Sequence, residues 1–281
     1  MTRKLRSWLL AGCLAVTGAV PAAAARDPVT IRVSAAASLA DAFQRLGRDF
    51  EAANWQVRVQ CNFAGSQELA QQIRQGAPAD VFAAADDRPM RAVLANQPSV
   101  GVRIFAHNRL ALVVAPAARQ RIRSLSDLAK PGTRLVLADK AVPAGAYVRQ
   151  MLDKAAKSPA YGSTFAAHVL ANVVSFETNV RLVLTKVALG EADAGIVYVS
   201  DTVGPAGRNV TALPVPGAFN VTAAYQIAVL PGSPHPQEAQ AFVTYVLSPA
   251  GQAHLQRAGF LPAVVIRSPI RPVSPPPGGT R

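Results

Sequence analysis

The chain has 281 residues, half of them hydrophobic, with a formal charge of +13. That is enough apolar material to bury a core split between two lobes. The basic excess suits small anions as readily as nucleic acid or an acidic surface. Its arginines are scattered, aromatics are only 6% of residues, and no basic–aromatic stripe exists, so nucleic acid is not an expected partner.

The N-terminus reads as a secretory leader. Arg3, Lys4 and Arg6 form a basic start, residues 8–20 are uncharged and mostly apolar, and Ala23 and Ala25 fit the small-x-small rule before Arg26. A cleaved signal peptide over 1–25 and a periplasmic protein are expected. An uncleaved anchor is the rival, but the apolar stretch falls short of the roughly 20 residues a spanning helix needs. Leu10-Ala11-Gly12-Cys13 resembles a lipoprotein box and keeps lipid attachment at Cys13 as a lesser alternative. Without Cys13, Cys61 is alone and no internal disulfide can form; its place in an alternating apolar stretch suggests a small buried hydrophobe.

Strand-like and helix-like segments then alternate. Residues 29–33 read as a strand, 39–52 as an amphipathic helix, 57–62 as a strand, 68–74 as a helix and 80–84 as a strand. The apolar runs 110–114 and 225–230 each precede a proline (Pro116, Pro231) and read as strands crossing between lobes. Between them 134–137, 145–156, 180–189 and 194–199 continue the alternation. The expected fold is α/β with largely parallel sheets. The expected domains are lobe I from 26–108 with 218–266, and lobe II from 109–217, with a ligand cleft between them. The Pro-rich tail at 267–281 is expected to be disordered.

Four helix starts carry the candidate chemistry. Ser38 with Asp41 fits a capping box. Ser66 follows Gly65, where a missing side chain permits close backbone approach. Pro143, in Val142-Pro143-Ala144-Gly145, suits a first turn. Asn179-Val180 opens a helix that should stop at Gly190. Helix N-termini present unpaired N–H groups and the positive end of the dipole, which favours anions. Two serine hydroxyls, and that of Tyr198, would add donors. A cage of donors with no carboxylate acceptor suits a fully deprotonated oxyanion. Taken singly, Ser38 and Ser66 are as readily plain caps, and Tyr198 plain core.

The ordered set Ala35-Ala36-Ala37-Ser38-Leu39, Phe63-Ala64-Gly65-Ser66, Gly76-Ala77-Pro78-Ala79-Asp80-Val81-Phe82, Val142-Pro143-Ala144-Gly145, Asn179-Val180-Arg181 and Gly190-Glu191-Ala192-Asp193-Ala194-Gly195-Ile196-Val197-Tyr198 resembles the periplasmic molybdate-binding proteins of ABC transporters. The resemblance runs from about Val29 to Ile266. It implies a two-lobed periplasmic binding protein of type II that closes on its ligand. It also implies an oxyanion held by the hydroxyls and backbone of Ser38 and Ser66, the backbone N–H groups of Ala144 and Val180, and the Tyr198 hydroxyl. The implied partners are molybdate or tungstate and a membrane permease; no cofactor and no direct metal-ion ligand are expected, and a monomer suits a shuttle. The segment between Ala144 and Val180 is longer than the family pattern, and the tail lies outside it.

Sulfate or another tetrahedral oxyanion is the alternative ligand. A secreted serine-dependent enzyme is the alternative class. Against the enzyme, His107, His168, His235 and His254 lie far apart, no Gly-x-Ser-x-Gly elbow occurs, and no metal-site spacing is present. The chain also lacks a Gly-x-x-x-x-Gly-Lys loop, so any ATP hydrolysis must be done elsewhere.

Overall fold

The computed structural model describes residues 27–95 and 101–263. The leader, Cys13 and the Pro-rich tail lie outside the described residues. In chain order come β1 (Val29–Ala36), α1 (Ala40–Ala53), β2 (Val57–Ala64), α2 (Ser66–Arg74), β3 (Val81–Ala84) and α3 (Asp87–Leu94). Then follow the long β4 (Arg103–Val114), β5 (Leu135–Ala138), α4 (Pro143–Ala156), α5 (Phe165–Ala171), β6 (Val173–Glu177), α6 (Val180–Ala188), β7 (Ala194–Tyr198) and the short α7 (Val199–Val203). The chain ends with β8 (Thr211–Pro214), β9 (Thr222–Val229), α8 (Pro236–Leu247), α9 (Pro249–Arg257) and β10 (Leu261–Pro262).

Periodicity explains why these segments adopt these forms. In α1, Ala42, Phe43, Leu46 and Phe50 recur at helical spacing and are the buried residues, while the intervening charges face water. β3, β5 and β7 are buried along their whole length, which is why they read as unbroken apolar runs. Gly190 ends α6 with φ of +76°, a conformation that suits glycine after a helix.

Strand order is β2-β1-β3-β9-β4-β7-β5-β6, with β8 and β10 also pairing β4. The expectation of largely parallel sheets needs correction in the middle of this order. β1 is parallel to β2 and β3, and β5 to β6 and β7, but β9 runs antiparallel to β3 and β4, and β4 antiparallel to β7. The reason is connectivity: β4 and β9 carry the chain across and back, so each must oppose its neighbours.

β4 changes partners part-way along. Residues from Arg103 to Arg109 pair with β9, and Leu110 onward pairs with β7 and β8. Phe43, Phe50, Phe105, Tyr225 and Phe242 pack edge-to-face beneath α1 and α8. Cys61 is half-buried rather than fully buried; burial, with Glu51 nearby, pushes its thiol up to about 12, so it stays protonated and unreactive.

Candidate functional site

The C-terminal ends of β1, β2, β5 and β6 lead into α1, α2, α4 and α6, and the starts of these helices meet around one cavity. This crevice beyond the carboxyl ends of parallel strands is where open α/β sheets place ligands. Its lining includes Ser38, Gly65, Ser66, Ala144, Val180 and Tyr198. All five residues singled out from the sequence are therefore brought together. None is more than 4% exposed, so the cavity is closed over.

Each lining group has a local reason to face inward as a donor. Pro143 occupies the first turn of α4 and has no N–H, so Ala144 presents the first one of that helix. Asn179 caps α6 through its side chain, accepting from Leu182 N at 3.1 Å; the Val180 N–H is left without an intrahelical partner. Ser66 is the first residue of α2, and its Oγ accepts from Ala85 N at 3.1 Å, leaving its own proton to donate.

Neither serine caps its helix. Ser38 sits in the 3₁₀ turn Ala37–Leu39, α1 has no side-chain cap, and Ser38 Oγ lies 2.9 Å from the Tyr225 hydroxyl. The capping box expected between Ser38 and Asp41 does not form: Asp41 instead pairs with Arg181 Nη2 at 2.7 Å. The plain-cap reading of the two serines falls with it.

Tyr198 is 1% exposed and its hydroxyl has no hydrogen-bond partner. Leaving a buried hydroxyl unpaired costs about 1–3 kcal/mol, so such groups call for an explanation. Burial, with Tyr225 and nearby acids, raises its pKa well above the ordinary tyrosine value, so the hydroxyl keeps its proton.

The cavity is small and carries no net charge. Its empty volume is about 220 Å³. No Asp, Glu, Lys, Arg or His lines it. Among the described residues no group of three or more His, Cys, Asp and Glu could hold a metal ion.

Charges lie just outside. Arg181, next to Val180, reaches Asp41 on α1 and lies 3.1 Å from Asp201 Oδ1 on α7, a charge contact without hydrogen-bond alignment. Asp201 is fully buried and accepts from Tyr198 N at 3.0 Å. Burial raises its pKa to about 6 against the pull of Arg181. Nearby, Gln67 Nε2 donates to Thr178 O at 2.8 Å. Gly65 faces the same carbonyl so closely that a Cβ would overlap it. Tyr225, Arg181 and Asp201 are not among the residues the sequence singles out; only Arg181, within the quoted Asn179-Val180-Arg181 motif, carries a signal.

A closed, dipole-lined cavity at the meeting of several helix starts defines a protein that captures a small solute. The chain belongs to the bacterial extracellular solute-binding proteins, whose family model matches residues 31–261. It is 39% identical to the molybdate-binding protein ModA of Mycobacterium tuberculosis over 268 residues, covering 92% of this chain and 96% of that one. Among solved structures it resembles the Azotobacter vinelandii periplasmic molybdate-binding protein (TM-score 0.69, 20% identity, 82% of this chain and 98% of that one). It also resembles the sulfate-binding protein SubI of M. tuberculosis (TM-score 0.72, 20% identity, 83% and 87%). The last two show a shared fold, the two-lobed periplasmic binding protein. Membership in a solute-binding family sets the serine-enzyme alternative aside. No helix among the described residues is long and apolar enough to cross a membrane.

Proposed function

We propose that this chain captures molybdate, and tungstate with it, in the periplasm and delivers it to the permease of an ABC importer. The observation that carries the reading is the Tyr198 hydroxyl, buried, protonated and unpartnered at a cavity that offers donors and no carboxylate. A tetrahedral dianion would pair that hydroxyl, the Ser38 and Ser66 hydroxyls, and the N–H groups of Ala144 and Val180. The helix dipoles would balance its charge. The 39% identity to ModA supports molybdate over sulfate.

In this reading the lobes are residues 26–108 with 218–266, and 109–217; the change of partners along β4 after Arg109 supports that boundary. They open to admit the anion and close through Arg181–Asp41 and Gln67–Thr178. The leader is removed at about residue 25 and the protein works as a monomer. Charge-assisted hydrogen bonds contribute about 1.5–3 kcal/mol net each, part of which desolvation and closure offset. A dissociation constant of micromolar or tighter, about −8 kcal/mol or better, is expected.

Thermal unfolding with molybdate, tungstate, sulfate and phosphate at matched ionic strength tests the reading. Ligand at 1,000 times Kd adds about 4 kcal/mol, a shift on the order of ten degrees for a chain of this size. A shift with molybdate and tungstate alone supports it. An equal shift with sulfate would favour a general oxyanion carrier, and no shift with any anion would remove the function.

A further inference from the structure

Ser38 is held from behind by a buried polar chain that does not itself reach the cavity. Asn108 and Tyr225 are both fully buried and neither lines it. The Arg109 backbone N–H donates to Asn108 Oδ1 at 2.9 Å, which fixes the oxygen end of that amide. Its NH₂ end must then face the other way, and Asn108 Nδ2 donates to Ser200 Oγ at 2.8 Å and to the Tyr225 hydroxyl oxygen at 3.5 Å. An amide NH₂ can only donate, so it occupies the acceptor side of the Tyr225 hydroxyl. The Tyr225 proton has Ser38 Oγ, 2.9 Å away, as its acceptor. The Ser38 proton is then the one left over, free to be donated to a ligand in the cavity that Ser38 lines.

We propose that Asn108 and Tyr225 act as positioning residues that fix the Ser38 hydroxyl as a donor and so exclude protonated oxyanions from the site. The inference rests on the oxyanion-binding reading and adds to it two residues that touch no ligand. Ser66 is held in the same sense by Ala85 N. With one acceptor position of each serine oxygen already taken and the helix-start N–H groups able only to donate, an anion carrying a proton meets few acceptors, chiefly the Tyr198 oxygen. A buried O–H without an acceptor is penalised, whereas a bare dianion of the same charge is not.

Monohydrogen phosphate and molybdate are both dianions near pH 8 and differ in that proton. The test is the ratio of their affinities in calorimetric titrations, with phosphate read by its power to displace molybdate. Tyr225→Phe keeps the ring that packs on Phe105, Tyr198 and Phe260 and removes only the hydroxyl. Ser38 can then turn and accept, so the preference for molybdate over phosphate should narrow by about tenfold, a change of 1.4 kcal/mol. Asn108→Asp replaces the donor with an acceptor, reverses the chain and should narrow the ratio further. An unchanged ratio in Tyr225→Phe, whatever happens to both affinities together, would overturn the relay and leave Tyr225 as packing. Wild-type protein that binds no oxyanion would sink the binding reading, and the relay with it.

Discussion

Two adjoining regions handle charge in opposite ways. The cavity bounded by Ser38, Ser66, Ala144, Val180 and Tyr198 contains no ionised side chain, whereas Arg181, Asp41 and Asp201 form a charged cluster beside it. A single helix serves both: α6 presents Val180 to the cavity and Arg181 to the cluster. Dipoles and hydroxyls can hold a dianion without committing a permanent cation that would have to be neutralised when the site is empty. The full charges lie instead between α6 and α7, and between α6 and α1 across the lobes.

That contrast predicts stability effects at Arg181–Asp201, within one lobe, and affinity effects at the cavity and at the Arg181–Asp41 contact that closes the lobes. The largest expected effect is in the cluster. Arg181→Met strands the buried Asp201 without its partner and should lower stability by about 3 kcal/mol in urea unfolding. A change under about 1 kcal/mol would show that the cluster adds nothing.

Gly65→Ala should do the reverse. The φ of −59° at Gly65 is open to any residue, so α2 should form as before, but the new Cβ would strike the Thr178 carbonyl and hold the cleft open. Molybdate affinity should fall on the order of a hundredfold, about 2.7 kcal/mol, with ligand-free stability nearly unchanged. Equal losses in both would mean that the two regions are not separable.

Acid provides a third test. Asp201 has a folded pKa raised to about 6 from an ordinary 3.8, so the native state binds the extra proton. Its contribution is fully favourable below about 3.8 and is lost as pH rises through about 6. Wild type should therefore gain on Asp201→Asn, by on the order of 2–3 kcal/mol, as pH falls from 7 to 4. Asp127 acts in the opposite sense: its pKa is lowered to about 2, chiefly by Lys130, and its contribution is lost as pH falls from 3.8 through about 2, so it does not obscure that window. A flat difference between wild type and Asp201→Asn would contradict the burial of Asp201.

The smallest effect isolates one hydroxyl. Tyr198→Phe should weaken molybdate binding by about 1–2 kcal/mol. Ligand-free stability should hold or rise, because an unpaired buried polar atom is removed. Lost stability with unchanged affinity would return Tyr198 to the core.

The pieces of this site that follow local rules were legible in the sequence. Pro143 at a first turn, the helix start at Asn179-Val180 and Gly190 as a stop are decided by neighbours in the chain, and each helix starts or ends near those residues. The capping box that Ser-x-x-Asp suggests at Ser38 does not form, because that pattern is local whereas the partner of Ser38, Tyr225, is 187 residues away. Asn108 was invisible for the same reason: it lies in a strand, and only the pairing of β4 with β9 brings it to Tyr225. The antiparallel middle of the sheet was missed because an apolar run does not state its direction.

The central claim is that these five residues hold the anion, and anomalous scattering from molybdenum in crystals grown with molybdate tests it most directly. The account predicts one dominant peak in the cavity, within hydrogen-bonding reach of the Ser38, Ser66 and Tyr198 hydroxyls and the Ala144 and Val180 N–H groups through the anion's oxygens. A peak elsewhere, or an empty cavity at saturating molybdate, would contradict it.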